Sequence, residues 1–273
     1  MIKILNLDNL FDKYIEKYVL DNVGKLKPEQ IENKIPVLYA EFGNVPQKDL
    51  GGKTPNGFYR DFSPEELLGC LKEHIEKNVP VSDFLIEAIT ANKDSEKAVK
   101  SLLMAEQDEQ FTAYLMNILI DLKADVPLER YLEFALYDYP ENIGELATEA
   151  LVENADKARD MVLKSFDLAA EDKKDRLSEI LASVKEKTDD VFDKLVYEFV
   201  KNKKKIPLYA NYLAKYGDER AIPFLKAAIE GKVNYQEFEE LKFAIEALGG
   251  EYTEKRDFTE DAIYKKVKGN KKQ

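Results

Sequence analysis

The chain of 273 residues has one cysteine, one histidine and no tryptophan. A single cysteine excludes an internal disulfide and any multi-cysteine zinc site, so the chain is no disulfide-stapled secreted scaffold. A single histidine excludes a multi-histidine metal centre. No apolar run approaches the 18 or more residues of a membrane-spanning helix, and 34% of residues are charged. No basic segment leads into a long apolar core at the start, so a signal peptide is not expected. There is also no Asn-x-Ser/Thr sequon. These absences together predict a reducing, cytoplasmic setting without membrane attachment.

What the chain has in abundance is acid. Asp and Glu number 53 against 41 Lys and Arg, a formal charge of −12. Lys265, Lys266, Lys268, Lys271 and Lys272 form a basic tail, so the remainder stands at −12 − 5 = −17. A body of that sign repels phosphate backbones, and nucleic acid is not an expected partner. The tail reads as a solvated end. The 44% hydrophobic content is too high for a disordered chain.

Helical periodicity dominates. Leu7, Leu10, Phe11, Tyr14, Ile15, Tyr18 and Val19 fall on one stripe at i, i+3, i+4 and their repeats. Ile31, Ile35, Leu38, Tyr39 and Phe42 form a second stripe, with Pro28 in its first turn and a kink expected at Pro36. Between Gly43 and Phe62 the period stops. Four glycines and two prolines there predict an ordered loop or a pair of turns. Ser63, Pro64 and Glu66 then form a capping-box start. Helix follows helix from there to Leu248 with short connections, which predicts antiparallel neighbours. No stretch alternates with a period of two, so no sheet is expected.

Apolar-proline pairs recur at Pro36, Pro80, Pro127 and Pro207, giving gaps of 44, 47 and 80 residues. A period of 40–47 residues built of helix pairs is that of HEAT or armadillo arrays. Residues 212–231, YLAKYGDERAIPFLKAAIEG, resemble the junction of a bacterial HEAT-like repeat. Gly217 ends one helix, Asp218 caps the next, and Ala221, Ile222, Leu225 and Ile229 face inward. The resemblance is clearest over residues 206–250. It implies an all-α solenoid of HEAT-like antiparallel helix pairs with an N-terminal helical cap. The expected division is a cap at 1–78 containing the 43–62 loop, repeats at 79–250, and a C-terminal extension with the basic tail at 251–273.

Motifs for chemistry are weak. Leu50-Gly51-Gly52-Lys53-Thr54 imitates a phosphate-binding loop, but position 47 is Gln where that motif needs Gly, and Pro55 and Gly57 follow in place of a helix start. A tight turn with Gly51 or Gly52 at positive φ is the expectation. Cys70 and His74 stand at i and i+4, one turn after Glu66. Without further Cys or His the set cannot close around a metal, so Cys70 is expected as a small core or half-buried residue and His74 at the surface. No enzyme, no metal and no cofactor is expected.

An acidic array of this kind suits a basic protein partner. The candidate partner-binding residues are Phe243 between Glu239 and Glu246, the pair Tyr137 and Tyr139, and the acids Asp189, Asp190 and Asp193, which also suit a helix N-terminus. The expected function is a non-catalytic protein-interaction scaffold. One alternative is an inhibitor or immunity-type protein that neutralises a basic effector. The resemblance admits another, since some HEAT-like repeat proteins attach chromophores as lyases.

Overall fold

The structure is a computed structural model that describes residues 2–106 and 108–269. The described residues form seventeen α-helices and three short 3-10 turns, with no strand among them. The apolar stripes therefore pair helix with helix. No described helix is long and apolar enough to cross a membrane. Two compact units divide at Pro127 and Leu128.

The first unit contains α1 (Leu7–Asp21), α2 (Pro28–Glu32), α3 (Ile35–Phe42), α4 (Pro55–Phe58), α5 (Pro64–Glu76), α6 (Asp83–Ala91), α7 (Ser95–Leu103) and α8 (Glu109–Asp121). Proline acts more strongly here than a kink. The expected second helix is broken at Asn33 and Lys34 into α2 and α3, so that Pro36 sits in the first turn of α3, where its missing N–H costs nothing. α1 packs on α3 through Phe11, whose ring lies 4.9 Å from Tyr39 and 5.4 Å from Phe42. Phe84 of α6 closes this aromatic cluster against both.

The 43–62 segment is ordered by three buried anchors, Leu50, Pro55 and Tyr59. Gly51 and Gly52 both adopt positive φ, at 64° and 86°. Thr54 accepts a hydrogen bond from the Gly57 N–H and so caps α4. Ser63 and Glu66 form the expected capping box of α5.

α5 packs against α6, α7 and α8. It also carries a correction. His74 is fully buried, not at the surface. Leu67, Cys70, Leu71 and His74 stand at i, i+3, i+4 and i+7, so the histidine belongs to the buried stripe. Its ring nitrogens reach two backbone carbonyls, Cys70 at 2.8 Å and Leu5 at 3.3 Å. The ring's N–H can donate to one of these carbonyls, and the Leu5 contact places the N-terminal segment against α5. Glu66 is committed to the Ser63 N–H, so it does not converge with Cys70 and His74.

The second unit contains α9 (Leu128–Leu136), α10 (Glu141–Glu153), α11 (Ala155–Phe166), α12 (Lys174–Ala182), α13 (Asp189–Lys201), α14 (Ile206–Tyr216), α15 (Ile222–Ile229), α16 (Tyr235–Ala247) and α17 (Ala262–Gly269). Each odd-numbered helix from α9 to α15 packs on its successor. The second helices also pack in series, α10 on α12, α12 on α14 and α14 on α16. α9, α11, α13 and α15 begin at residues 128, 155, 189 and 222, so successive pairs advance by 27, 34 and 33 residues. This spacing is shorter than the one the prolines mark. Pro127 precedes α9 while Pro207 lies in the first turn of α14, so the two occupy different members of their pairs.

Polar ties run both within pairs and between them. Asp156 accepts the backbone N–H groups of Lys185 and Glu186. The Thr188 N–H donates to the Tyr216 hydroxyl at 2.9 Å, and the Lys187 ammonium meets the Tyr216 carbonyl. Lys201 binds Glu171, and the Tyr209 hydroxyl donates to Asp175 at 2.7 Å. Gly217 ends α14 at φ 76°, the left-handed conformation expected of it, and Asp218 caps the 3-10 turn Glu219–Ala221 that leads into α15. After α16, Tyr252 and Phe258 return to cover Phe238. Lys271 and Lys272 of the basic tail lie outside the described residues, as does the side chain of Lys268.

Candidate interaction site

α13 shows how one sequence serves two faces. Val191, Phe192, Leu195, Val196 and Phe199 are buried on one side. Asp190, Asp193 and Tyr197 stand at i, i+3 and i+7 and share the opposite, exposed side. Asp189 and Asp190 fall in the first turn and Lys201 in the last, in the sense that complements the helix dipole.

Across from this face lies the end of α11. Leu163, Asp167, Asp190, Asp193, Lys194 and Tyr197 line an open cleft of about 480 Å³. Asp167 and Lys194 form an ion pair at 2.6 Å that joins the two walls. The hydrogen bond from Lys194, followed by its charge, holds the Asp167 carboxyl below the usual carboxylate range. The Lys194 ammonium also sits 5.2 Å from the centre of the Phe166 ring, so it is fixed from two directions. The cleft therefore presents three carboxylates against one committed ammonium.

Apolar surface accompanies the charge. Tyr197 is 60% exposed, and Leu168, directly after Asp167, is 90% exposed. An aromatic ring with an apolar neighbour, set among carboxylates, can bury the stem of a lysine or arginine while the acids meet its head. An exposed aromatic of this kind is the usual anchor of a protein interface.

The other expected residues fall elsewhere. Asp189 turns away from the cleft and meets the Arg220 guanidinium at 2.7 Å. Arg220 is also paired with Asp218 and stacks 4.3 Å over the Phe192 ring, so Asp189 ties α13 to the turn before α15. Phe243 is 58% exposed on α16, beside the exposed Glu239 and Glu246, and Lys242 approaches Glu246 at 3.8 Å. That patch is separate from the α11–α13 cleft. Tyr137 is 64% exposed. Tyr139 is internal in role: its ring meets Phe134 edge-on at 4.8 Å and its hydroxyl accepts from Arg130 at 3.2 Å.

Sequence reasoning missed Tyr197, Asp167 and Leu163. Tyr197 was detectable, since it lies two turns beyond Asp190 on the same helical face. Asp167 and Leu163 belong to another helix, and only packing brings them across.

A larger cleft of about 920 Å³ lies between α5, α7 and α8 in the first unit. Its lining mixes Lys72, Lys93, Lys97 and Lys100 with Glu65, Asp94 and Glu96, and Lys72 and Lys100 are paired with Glu106 and Glu96. The signs nearly cancel, unlike the three carboxylates against one ammonium of the α11–α13 cleft. No family model, curated protein or solved structure matches the chain.

Proposed function

We propose that the chain is a non-catalytic protein-interaction module whose α11–α13 cleft receives a basic, exposed segment of a protein partner in the cytoplasm. The observation that carries this reading is the convergence of Asp167, Asp190 and Asp193 around the exposed Tyr197. Asp167 stays ionised because Lys194 stabilises its charged form, so it acts as a fixed field and not as a proton donor. The −12 net charge adds long-range attraction for a basic partner and speeds encounter.

The second unit is read as a short solenoid of HEAT-like helix pairs. The serial packing of α10, α12, α14 and α16 and the ties from α13 and α14 back to Glu171 and Asp175 support it. In such an array each pair contacts its neighbours only, and the faces left over serve for binding.

The test is capture on the immobilised full chain from native cell extract, at low and then high salt, alongside the double variant Asp190→Lys/Asp193→Lys. A basic protein retained by the native chain, released by salt and lost from the variant supports the proposal. The same proteins on both chains, or none on either, refutes it.

A further inference from the structure

A second recess in the same unit has the opposite electrostatic character. α13 ends with Phe199, Val200 and Lys201, and a 3-10 turn over Lys203–Lys205 leads into Ile206 of α14. α15 faces this corner with Phe224, Ala227 and Ala228. Gly231, Lys232 and Val233 then connect it to the capped start of α16. Together they enclose a groove of about 430 Å³.

The walls are apolar. Phe199 is buried at the base, while Val200 is 52% and Phe224 40% exposed. Val200 continues the buried stripe of α13 by its spacing but stands half exposed. Two large apolar side chains facing water in a concave site carry a hydration cost that an apolar ligand would remove. The small side chains of Ala227 and Ala228 keep the groove open.

Its lining charge is net positive, two ammonium groups against one carboxylate. The charged lining residues are Lys203, Lys232 and Glu237. Glu237 is committed, accepting the Asn234 N–H at 2.8 Å in the capping box of α16. Lys203 and Lys232 enter no salt bridge among the described residues. Arg256, outside the lining, donates to the Gly231 carbonyl at 2.8 Å and so holds the connection to α16.

We propose that this groove binds a small amphiphilic anion, with an apolar body against Phe199, Val200, Phe224 and Ala227 and a carboxylate-type head between Lys203 and Lys232. Medium-chain fatty acids are the chemical class that fits. The volume lies within the range of small-molecule sites, which are mostly apolar with a few placed polar groups. The head gains charge-assisted hydrogen bonds from ammonium groups that have no salt-bridge partner among the described residues.

The experiment uses the intact chain with anilinonaphthalene sulfonate as a fluorescent probe and decanoate as competitor. Decanoate is expected to displace the probe saturably, and decyltrimethylammonium to do so at least tenfold less well. Lys203→Glu/Lys232→Glu is expected to weaken decanoate binding at least tenfold. Ala227→Leu, which fills the groove from an exposed helix position, should abolish it at unchanged thermal stability. Asp190→Lys/Asp193→Lys should leave decanoate binding intact, which separates this site from the acidic cleft. Equal displacement by the cation, insensitivity to the groove variants, or no saturable displacement by decanoate would overturn the proposal. A melting temperature lowered in the charge variant would be read against Lys203→Gln/Lys232→Gln, which removes the charges without introducing acids and must also weaken decanoate binding.

Discussion

Gly144 offers a test of how α10 and α12 are joined. A glycine inside a helix costs about 1 kcal/mol relative to alanine, so Gly144→Ala would ordinarily stabilise α10. Here a Cβ at position 144 would lie 2.5 Å from Nη1 of Arg176. That guanidinium is held in place, donating to the Ala135 carbonyl at 3.1 Å and pairing with Glu141 at 2.5 Å. The Arg176 side chain is only 14% exposed, while Glu141 is 72% exposed. Moving the guanidinium aside sacrifices a charge-assisted bond to the Ala135 carbonyl, worth about 1.5–3 kcal/mol. The ion pair adds about 0.5 kcal/mol, because its carboxylate is solvated. Against the propensity gain of about 1 kcal/mol, Gly144→Ala should therefore destabilise the chain by about 1–2.5 kcal/mol. In an Arg176→Ala background the obstruction is gone, and the same substitution should stabilise by about 1 kcal/mol. Urea unfolding of all four members of this double-mutant cycle, followed by circular dichroism, measures the coupling. A stabilising Gly144→Ala in the native background, or the same effect in both backgrounds, would refute the account of why glycine stands there.

Two further outcomes are expected. Hydrogen bonds from Lys174 and Lys201 depress the Glu171 carboxyl to about 2, so its contribution is complete above the ordinary Glu value and is lost as pH falls from about 4.5 toward 2; because the carboxyl is solvated, Glu171→Gln should remove only a small, salt-sensitive part of the acid-side slope in melting temperature. Burial pushes the Cys70 thiol up to about 12, so an aromatic disulfide reagent at pH 8 should label the native chain far more slowly than the urea-unfolded chain, and rapid native labelling would contradict the packing of α5.

Much of the local structure was legible because its causes are local. The capping box at Ser63 needs only residues three positions apart, and it forms as expected. Gly217 and Asp218 end one helix and start the next for reasons contained in their own backbone and side chain. Pro36 was legible as a disturbance but not in degree, because a kink and a break differ by how well the flanking turns are packed. His74 was misjudged by its polarity; its position on the Leu67–Cys70–Leu71 stripe outweighs that, once Leu5 supplies a carbonyl from far along the chain.

The candidate cleft divides in the same way. Asp190 and Asp193 were readable as a pair on one helical face, and Tyr197 shares that face by the same period. Asp189, their neighbour in sequence, points along another direction and is claimed by Arg220 thirty-one residues later. Phe243 was expected to need a cover or a partner, and it stands exposed, whereas Tyr139 finds its partners in Phe134 and Arg130.

The sequence by itself determined the all-helical class, through the 3.6-residue period of its apolar side chains and the punctuation of its prolines, glycines and caps. Tertiary structure alone decided which helices meet, the 27 to 34 residue advance of the pairs in the second unit, and the placing of Asp167 opposite Asp190 and Asp193. Helix formation is written in neighbours a few residues apart, but a cleft is made by side chains from different helices, and their meeting depends on how the buried stripes pack.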